Sequence, residues 1–468
     1  MESRIPARDG APARWALAAL ALAMLLSSMG VSIANVALPT LASAFSAPFQ
    51  QVQWIVLAYL LAVTALVVSA GRLGDVLGHR RVLMAGLALF TAASLLCAIA
   101  PSLWALIGAR AVQGAGAAVL MAVTVALVRE TVPREHTGSA MGLLGTMSAI
   151  GTALGPSLGG VLIAGAGWRA IFAIMVPLGL FAFVLAYLHL PARKRNNPDN
   201  VGRGFDVPGT LLLTATLVAY ALSMTTGSGS FSLALLLAAA FGAALFVVVE
   251  LRTPSPLIRL AALRNATLNA SLVMNALVAV VMMTTLVVGP FYLAMALGLG
   301  EAAVGLAMSV GPVISIFTGI PAGRIVDRVG ASSIAAAGLA AMAAGSFALA
   351  TLPHLFGIAG YVAAIIVLTP GYQLFQAANN TMVMMDVPED RRGVISGLLS
   401  LSRNLGLVTG ASAMGAVFFH ATGSHDLQTA GPEAVAGGMQ VAFAVAGGLM
   451  LAALAVGFVS DAFARRED

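Results

Sequence analysis

The chain has 468 residues, 60% of them hydrophobic and 9% charged, with a formal net charge of +6. A soluble domain carries about 25% charged residues, so this composition excludes an ordinary soluble protein and points to one whose outer solvent is lipid. The 24 basic residues include one lysine, Lys194, and are spread thinly along the chain. That excludes the exposed basic patch of a nucleic-acid binder.

A spanning helix needs about 20 apolar residues. Segments of that kind follow one another at 15–38, 52–71, 82–101, 104–128, 138–164, 170–190, 208–226, 232–250, 267–295, 302–322, 332–352, 357–384, 393–420 and 436–460, which predicts fourteen spans in an all-α integral membrane protein. The first follows Arg4, Arg8 and Arg14 but is too long for the apolar core of a signal peptide, so it is read as a retained span. Only Pro101 and Ser102 separate spans three and four. Between spans six and seven lies a polar linker, 191–208, with Lys194, Asn196, Asn197, Asp199 and Asn200. It ends on Asp206-Val-Pro-Gly, which reads as a helix start with an acid at its positive end. The long loop 421–435 holds His425, Asp426 and Glu433 and no basic residue.

Basic residues are retained in cytoplasmic loops. Of the 24, all but Arg110, Arg169 and Arg403 fall at the termini or in the even-to-odd connections that share their side. This predicts a multi-pass protein of the cytoplasmic (inner) membrane with both termini cytoplasmic. The single Cys97 excludes an internal disulfide. Lys194 follows Arg193 rather than a glycine, so the chain has no phosphate-binding Gly-Lys-Ser/Thr loop. The sequence supports no metal-ligand spacing and no nucleophile–base arrangement. The expectation is therefore no enzyme, no cofactor and no metal.

The chain repeats itself. Gly71-Arg72-Leu73-Gly74-Asp75-Val76-Leu77-Gly78 returns as Gly323-Arg324-Ile325-Val326-Asp327-Arg328-Val329-Gly330, an offset of 252. Pro133, Gly138 and Gly142 return as Pro388, Gly393 and Gly397 at an offset of 255, and Gly151 and Gly155 match Gly406 and Gly410 at that same offset. The expected organisation is two pseudo-symmetric six-helix lobes, 1–190 and 265–468, with a linker and two inserted spans over 191–264. Repeats of this kind build transporters whose substrate site lies near the midplane between the halves.

Three motifs carry a family resemblance. Gly71-Arg-Leu-Gly-Asp-Val-Leu-Gly-His-Arg-Arg81 resembles the loop signature of the major facilitator superfamily, and Arg110-Ala-Val-Gln-Gly114 its helix 4 motif. Gly151-Thr-Ala-Leu-Gly-Pro-Ser-Leu-Gly-Gly160 resembles the helix 5 signature of antiporters and exporters. With Asn35-Val-Ala-Leu-Pro39 and Gln53-Trp54…Tyr59, the chain is similar to the fourteen-spanner drug/proton antiporters across nearly its whole length.

The resemblance implies roles for several residues. Gly71, Arg72, Asp75 and Arg81, with Arg324 and Asp327 in the repeat, form a conformational latch. In it, Asp75 faces the helix start near Pro388–Gly393, and Asp327 the start near Thr137–Gly138, when the cytoplasmic side is shut. Gly151, Gly155 and Gly159 make a bare stripe, Pro156 removes a backbone donor, and with Gly160 they suit close packing on a neighbour, expected to be the tenth span.

Charge inside a span is costly and marks a wet cavity or a partner. Arg110 with Gln113, and Arg403, are therefore candidate cavity residues, joined by the polar Asn35, Asn275, Gln373, Gln376, Asn379 and Asn380. Related antiporters carry an aspartate five residues before Asn35, where this chain has Gly30. No other acid lies deep in a span, so proton coupling is implied by resemblance alone. A cavity with arginines and no acid suits a neutral or anionic amphiphile. The sequence reading is thus a monomeric secondary transporter exporting amphiphilic drugs or metabolites by alternating access and proton antiport, of the kind that confers antibiotic resistance. A nutrient uptake symporter and a non-transporting membrane sensor on the same fold are its alternatives.

Overall fold

The computed structural model describes residues 11–132, 137–190, 206–226, 229–253, 265–384, 392–424 and 429–467. Every element among them is a helix. In the N-terminal half these are α1 (Ala11–Val36), α2 (Leu38–Phe45), α3 (Phe49–Val52), α4 (Trp54–Leu77), α5 (His79–Ala98), α6 (Leu103–Thr131), α7 (Thr137–Ala166), α8 (Ala170–Ala173) and α9 (Met175–His189). Next come α10 (Val207–Thr225) and α11 (Ser230–Arg252). The C-terminal half holds α12 (Ala266–Phe291) with a π-helical turn at Tyr292–Ala296, α13 (Glu301–Val329) and α14 (Ala331–Met384). After these come α15 (Arg392–Thr409), a second π turn at Gly410–Met414, α16 (Gly415–Ala421) and α17 (Pro432–Glu467).

Twelve helices, among the described residues, are long and apolar enough to cross a membrane. One of them, α14, is 54 residues long and leaves helical geometry at Gly357 (φ 55°, ψ −130°). Its two arms fold back on each other there. A methyl placed on Gly345 would meet Leu368, and one on Gly360 would meet the backbone of Leu352. The expected spans 332–352 and 357–384 are therefore joined through a single glycine with no polar loop between them. The expected span 393–420 is assembled from α15, the π turn and α16.

Polar side chains define where helices begin. Ser102 accepts from the amide of Ala105 (3.3 Å), Asp206 from Gly209 (2.8 Å) and Asn265 from Leu268 (3.0 Å), satisfying amides that a first helical turn leaves free. Gly78 and Gly330, one repeat apart, end α4 and α13 with φ of 94° and 101°. That region suits glycine, which lacks the clashing Cβ. The loop motif is thus a tight helix-to-helix corner made twice.

The repeat also recurs in the packing. On α7, Gly151 and Gly155 lie against Leu25 and Ser32 of α1; Gly406 of α15 and Gly410 of the π turn that follows it lie against Ala276 and Val280 of α12. Small residues let these backbones approach. The inserted α10 is tied to α4 by Ser69 and Thr210 (Oγ to Oγ1, 2.8 Å) and by Trp54, whose Nε1 donates to Thr225 (3.2 Å). Next to it, α11 packs on α10 and leaves Phe231, Leu237, Phe241 and Leu251 exposed. Such a belt suits lipid and would be a liability in water.

Candidate functional site

A cavity of about 430 Å³ lies between the two halves, within the range of small-molecule sites. Its N-terminal wall is largely apolar: Met24 and Val31 of α1, Leu60 and Val63 of α4, and Met121 of α6, with Ser28, Ser148 and Thr152 as hydroxyl positions. Ser28 and Ser148 share a hydrogen bond of 2.7 Å. The opposite wall is mixed: Asn275 of α12, Tyr361, Tyr372, Gln373 and Gln376 of α14, and Arg403 and Asn404 of α15 stand among Val278, Met282, Met308, Ile365 and Leu407. Arg403 is the one charged residue among the described lining residues. Asn275 donates to the carbonyl of Leu399 (2.9 Å), which holds its amide at the wall.

Of the expected cavity residues, Asn275, Gln373, Gln376 and Arg403 share this space. Asn35 is buried and donates to the carbonyl of Val31 (2.8 Å). Asn379 is buried and Asn380 exposed, and neither lines the cavity.

Arg110 and Gln113 form a separate network inside the N-terminal half, and both are 0% exposed. The guanidinium donates through Nε to Ile55 O (3.0 Å), through Nη1 to Gln113 Oε1 (2.5 Å) and through Nη2 to Gly30 O (2.9 Å). It stands 4.2 Å from the centre of the Tyr59 ring, a cation–π contact. Gln113 donates onward to Ser94 (2.8 Å) on α5 and contacts the Met175 sulfur (3.4 Å) at the start of α9. Carbonyls and a ring face thus replace the wet cavity that an intramembrane charge suggested. Gly30 shares this network: a methyl there would come 2.7 Å from the Tyr59 hydroxyl, which itself donates to Ser27 O (2.7 Å).

The α7 motif works on two faces. Its stripe of Gly151, Gly155 and Gly159 faces α1 rather than the tenth span. The adjoining face, Pro156 and Gly160, meets the start of α13, where Gly305 comes backbone to backbone with Gly160. Close approach to α13 is therefore present, but a neighbouring face makes it.

Near this crossing the halves are sealed by aromatic rings, which the sequence reading did not single out. Phe49 of α3 lies 5.0 Å from Phe291, 5.7 Å from Phe418 and 6.2 Å from Phe419, centre to centre. Beyond this seal, a second hollow of about 460 Å³ is lined by α1, α2 and the α12–α13 turn, with Glu301 at its edge. The Phe418-Phe419 pair was the visible signal, in a chain whose residues are only 6% aromatic.

The loop motif lies at the opposite end of the bundle. Asp75 is exposed and pairs with His79 of its own turn (3.1 Å). Arg81, Arg324, Asp327 and Arg328 are exposed, while Gly71 and Arg72 are half-buried. The partners expected around 388–391 lie outside the described residues.

The sequence model of the Major Facilitator Superfamily matches residues 20–411. The chain belongs to this superfamily. As a member it is 34% identical over 413 residues to an uncharacterized transporter, YebQ, of Escherichia coli, covering 86% of this chain and 89% of that one. It is 30% identical to the multidrug efflux pump LfrA of Mycolicibacterium smegmatis, over 88% of this chain and 82% of the pump. The riboflavin transporter RibZ of Clostridioides difficile is 29% identical, with 85% and 87% covered. Among solved structures, the fold matches the inward-facing, unoccupied form of a bacterial homolog of the human lysosomal transporter Spinster. The TM-score is 0.70 at 15% identity, with 96% of this chain and 98% of that one covered. This superfamily member is thus a multi-pass transporter of small molecules and not an enzyme.

Proposed function

We propose that the chain exports small amphiphilic compounds, drugs or metabolites, by alternating access across the cytoplasmic membrane. The observation that carries this reading is the cavity itself: a largely apolar wall from one half faces a mixed wall from the other that holds most of the polar side chains, with Arg403 as its only charge among the described lining residues. A neutral or anionic amphiphile matches both walls, its polar end toward Asn275, Gln376 and Arg403. The likeness to a multidrug efflux pump supports drugs as cargo, and that to a riboflavin transporter supports metabolites.

On this reading the loop motif is cytoplasmic, as the basic residues argue, and the Phe49 seal is outer. The state is then inward-facing, and Gly71, Arg72, Asp75, Arg81, Arg324 and Asp327 form the latch that closes the cytoplasmic side in the opposite state. Fourteen spans follow when α14 counts as two and α15–α16 as one, arranged as lobes 1–190 and 265–468 around an inserted pair. The protein acts as a monomer, and the proton gradient is its fuel, a reading that rests on the motif resemblance. Arg110, Gln113, Asn35, Asn379 and Asn380 serve from outside the cavity wall.

A thermal-shift screen of amphiphiles identifies a ligand, and flux in proteoliposomes then compares an imposed pH gradient with none. Gradient-driven movement supports antiport. Movement that ignores the gradient removes proton coupling, and a ligand that binds without moving makes the chain a sensor.

A further inference from the structure

The outer seal contains one polar group that nothing among the described residues satisfies. Phe49 and Gln53 lie one helical turn apart at the junction of α3 and α4, and both face the C-terminal lobe. A methyl placed on Gly415 of α16 would lie 2.7 Å from the Gln53 amide oxygen and 3.4 Å from the Phe49 ring. Gln53 is 1% exposed, and its Oε1 is sealed from solvent with no hydrogen-bond donor in reach among the described residues. The side chain makes no capping bond to α4, so the helix start does not explain it. On the other side of the plug, Phe49 and Phe291 line the outer hollow of about 460 Å³.

Two opposed effects therefore meet at one contact. Edge-to-face ring packing holds the lobes together. A buried carbonyl without a donor is unfavourable, and it is relieved as soon as the lobes part and water arrives. Resting on the alternating-access reading above, we infer that Gln53 is a positioning residue of the outer gate. Its stranded amide oxygen, set against Gly415, destabilises the sealed state and so sets how often the Phe49 plug opens. An apolar side chain of the same length leaves the plug locked, and loss of the Phe49 ring leaves it ajar.

The test uses the full chain with its one cysteine removed (Cys97→Ala) and a thiol placed in the central cavity (Met282→Cys). A membrane-impermeant maleimide is added outside right-side-out vesicles, and the labelling rate reads the population with the outer gate open. Gln53→Met is expected to slow labelling roughly tenfold, the size of one relieved buried polar group. Phe49→Ala is expected to speed it several-fold. Gly415→Ala, whose methyl presses on the amide oxygen, should also speed it, and it keeps the test decisive if Gln53→Met fails to accumulate. Gln53→Met labelled as fast as the parent, or Gly415→Ala labelled no faster, overturns the inference. A parent thiol that reacts from the inside and never from the outside defeats alternating access instead.

Discussion

Gly160 of α7 and Gly305 of α13 meet backbone to backbone where the N-terminal half of the chain packs on the C-terminal half. A Cβ built on either comes within 2.9 Å of the other's Cα. A joint without side chains lets two helices roll on one another without rotamers to unlock, and it also excludes solvent while they do so.

Widening that joint should stop transport before it harms folding. Gly305→Leu forces apart two helices that belong to different lobes, at about 1–3 kcal/mol of local strain. The expected outcome is normal membrane yield with flux reduced at least tenfold in proteoliposomes. Gly155→Leu is the contrast. It collides with Ser32 inside one lobe, so its expected effect is a lower unfolding temperature in detergent. Equal flux in Gly305→Leu and parent would remove the joint from the transport cycle.

Arg110→Ala should be a stability mutation. It leaves the carbonyls of Gly30 and Ile55 and the Gln113 amide oxygen without this donor. The two carbonyls keep their helical amide donors, so the Gln113 oxygen alone is stranded, at about 1–3 kcal/mol, and the lost contact with the Tyr59 ring adds to it. Thermal unfolding checks this, and the surviving folded fraction should bind ligand as the parent does.

Arg403→Gln should behave in the opposite way. The residue is exposed on the cavity wall, so unfolding should shift little. A charged hydrogen bond to an anionic ligand is worth about 1.5–3 kcal/mol, which corresponds to at least tenfold weaker binding. Neutral ligands should lose much less. Titration calorimetry with an anionic and a neutral amphiphile separates the two, and equal losses would take Arg403 out of recognition.

Asp75→Asn should slow transport while insertion and thermal stability stay unchanged. The Asp75–His79 contact is exposed, and exposed pairs contribute about 0–1 kcal/mol. Any large effect must then arise in a state where Asp75 has another partner. Asp327→Asn is expected to act alike, as the repeat requires. Unchanged flux at equal expression in both variants would leave the latch without support.

Much of the architecture was legible because it rests on length and repetition. The spans, the two corner glycines at 78 and 330, and the paired helix joints at Gly151 and Gly406 all follow from patterns along the chain. The site was less legible for a physical reason. In lipid a span is apolar toward its neighbours and toward solvent alike, so periodicity does not reveal which face looks inward. Gln373 and Gln376 turned out to face the cavity and Asn379 and Asn380 did not, although all four sit on one arm of α14. Arg110 suggested a wet cavity because its true partners, two main-chain carbonyls and a tyrosine ring, carry no charge to read. The Gly357 reversal falls where the sequence divides spans 332–352 and 357–384, although no polar loop marks it.

The Arg110 network has a consequence for biosynthesis. A guanidinium is an expensive passenger for a membrane-inserting chain, and it must find partners soon after it leaves the ribosome. Every group it reaches, from Gly30 through Tyr59 and Gln113 to the ring of Phe172, lies before the linker at 191. All the groups that hold the charge are thus made before the second half of the chain. The first half of the chain holds everything needed to bury this arginine, and the later helices add nothing to that task.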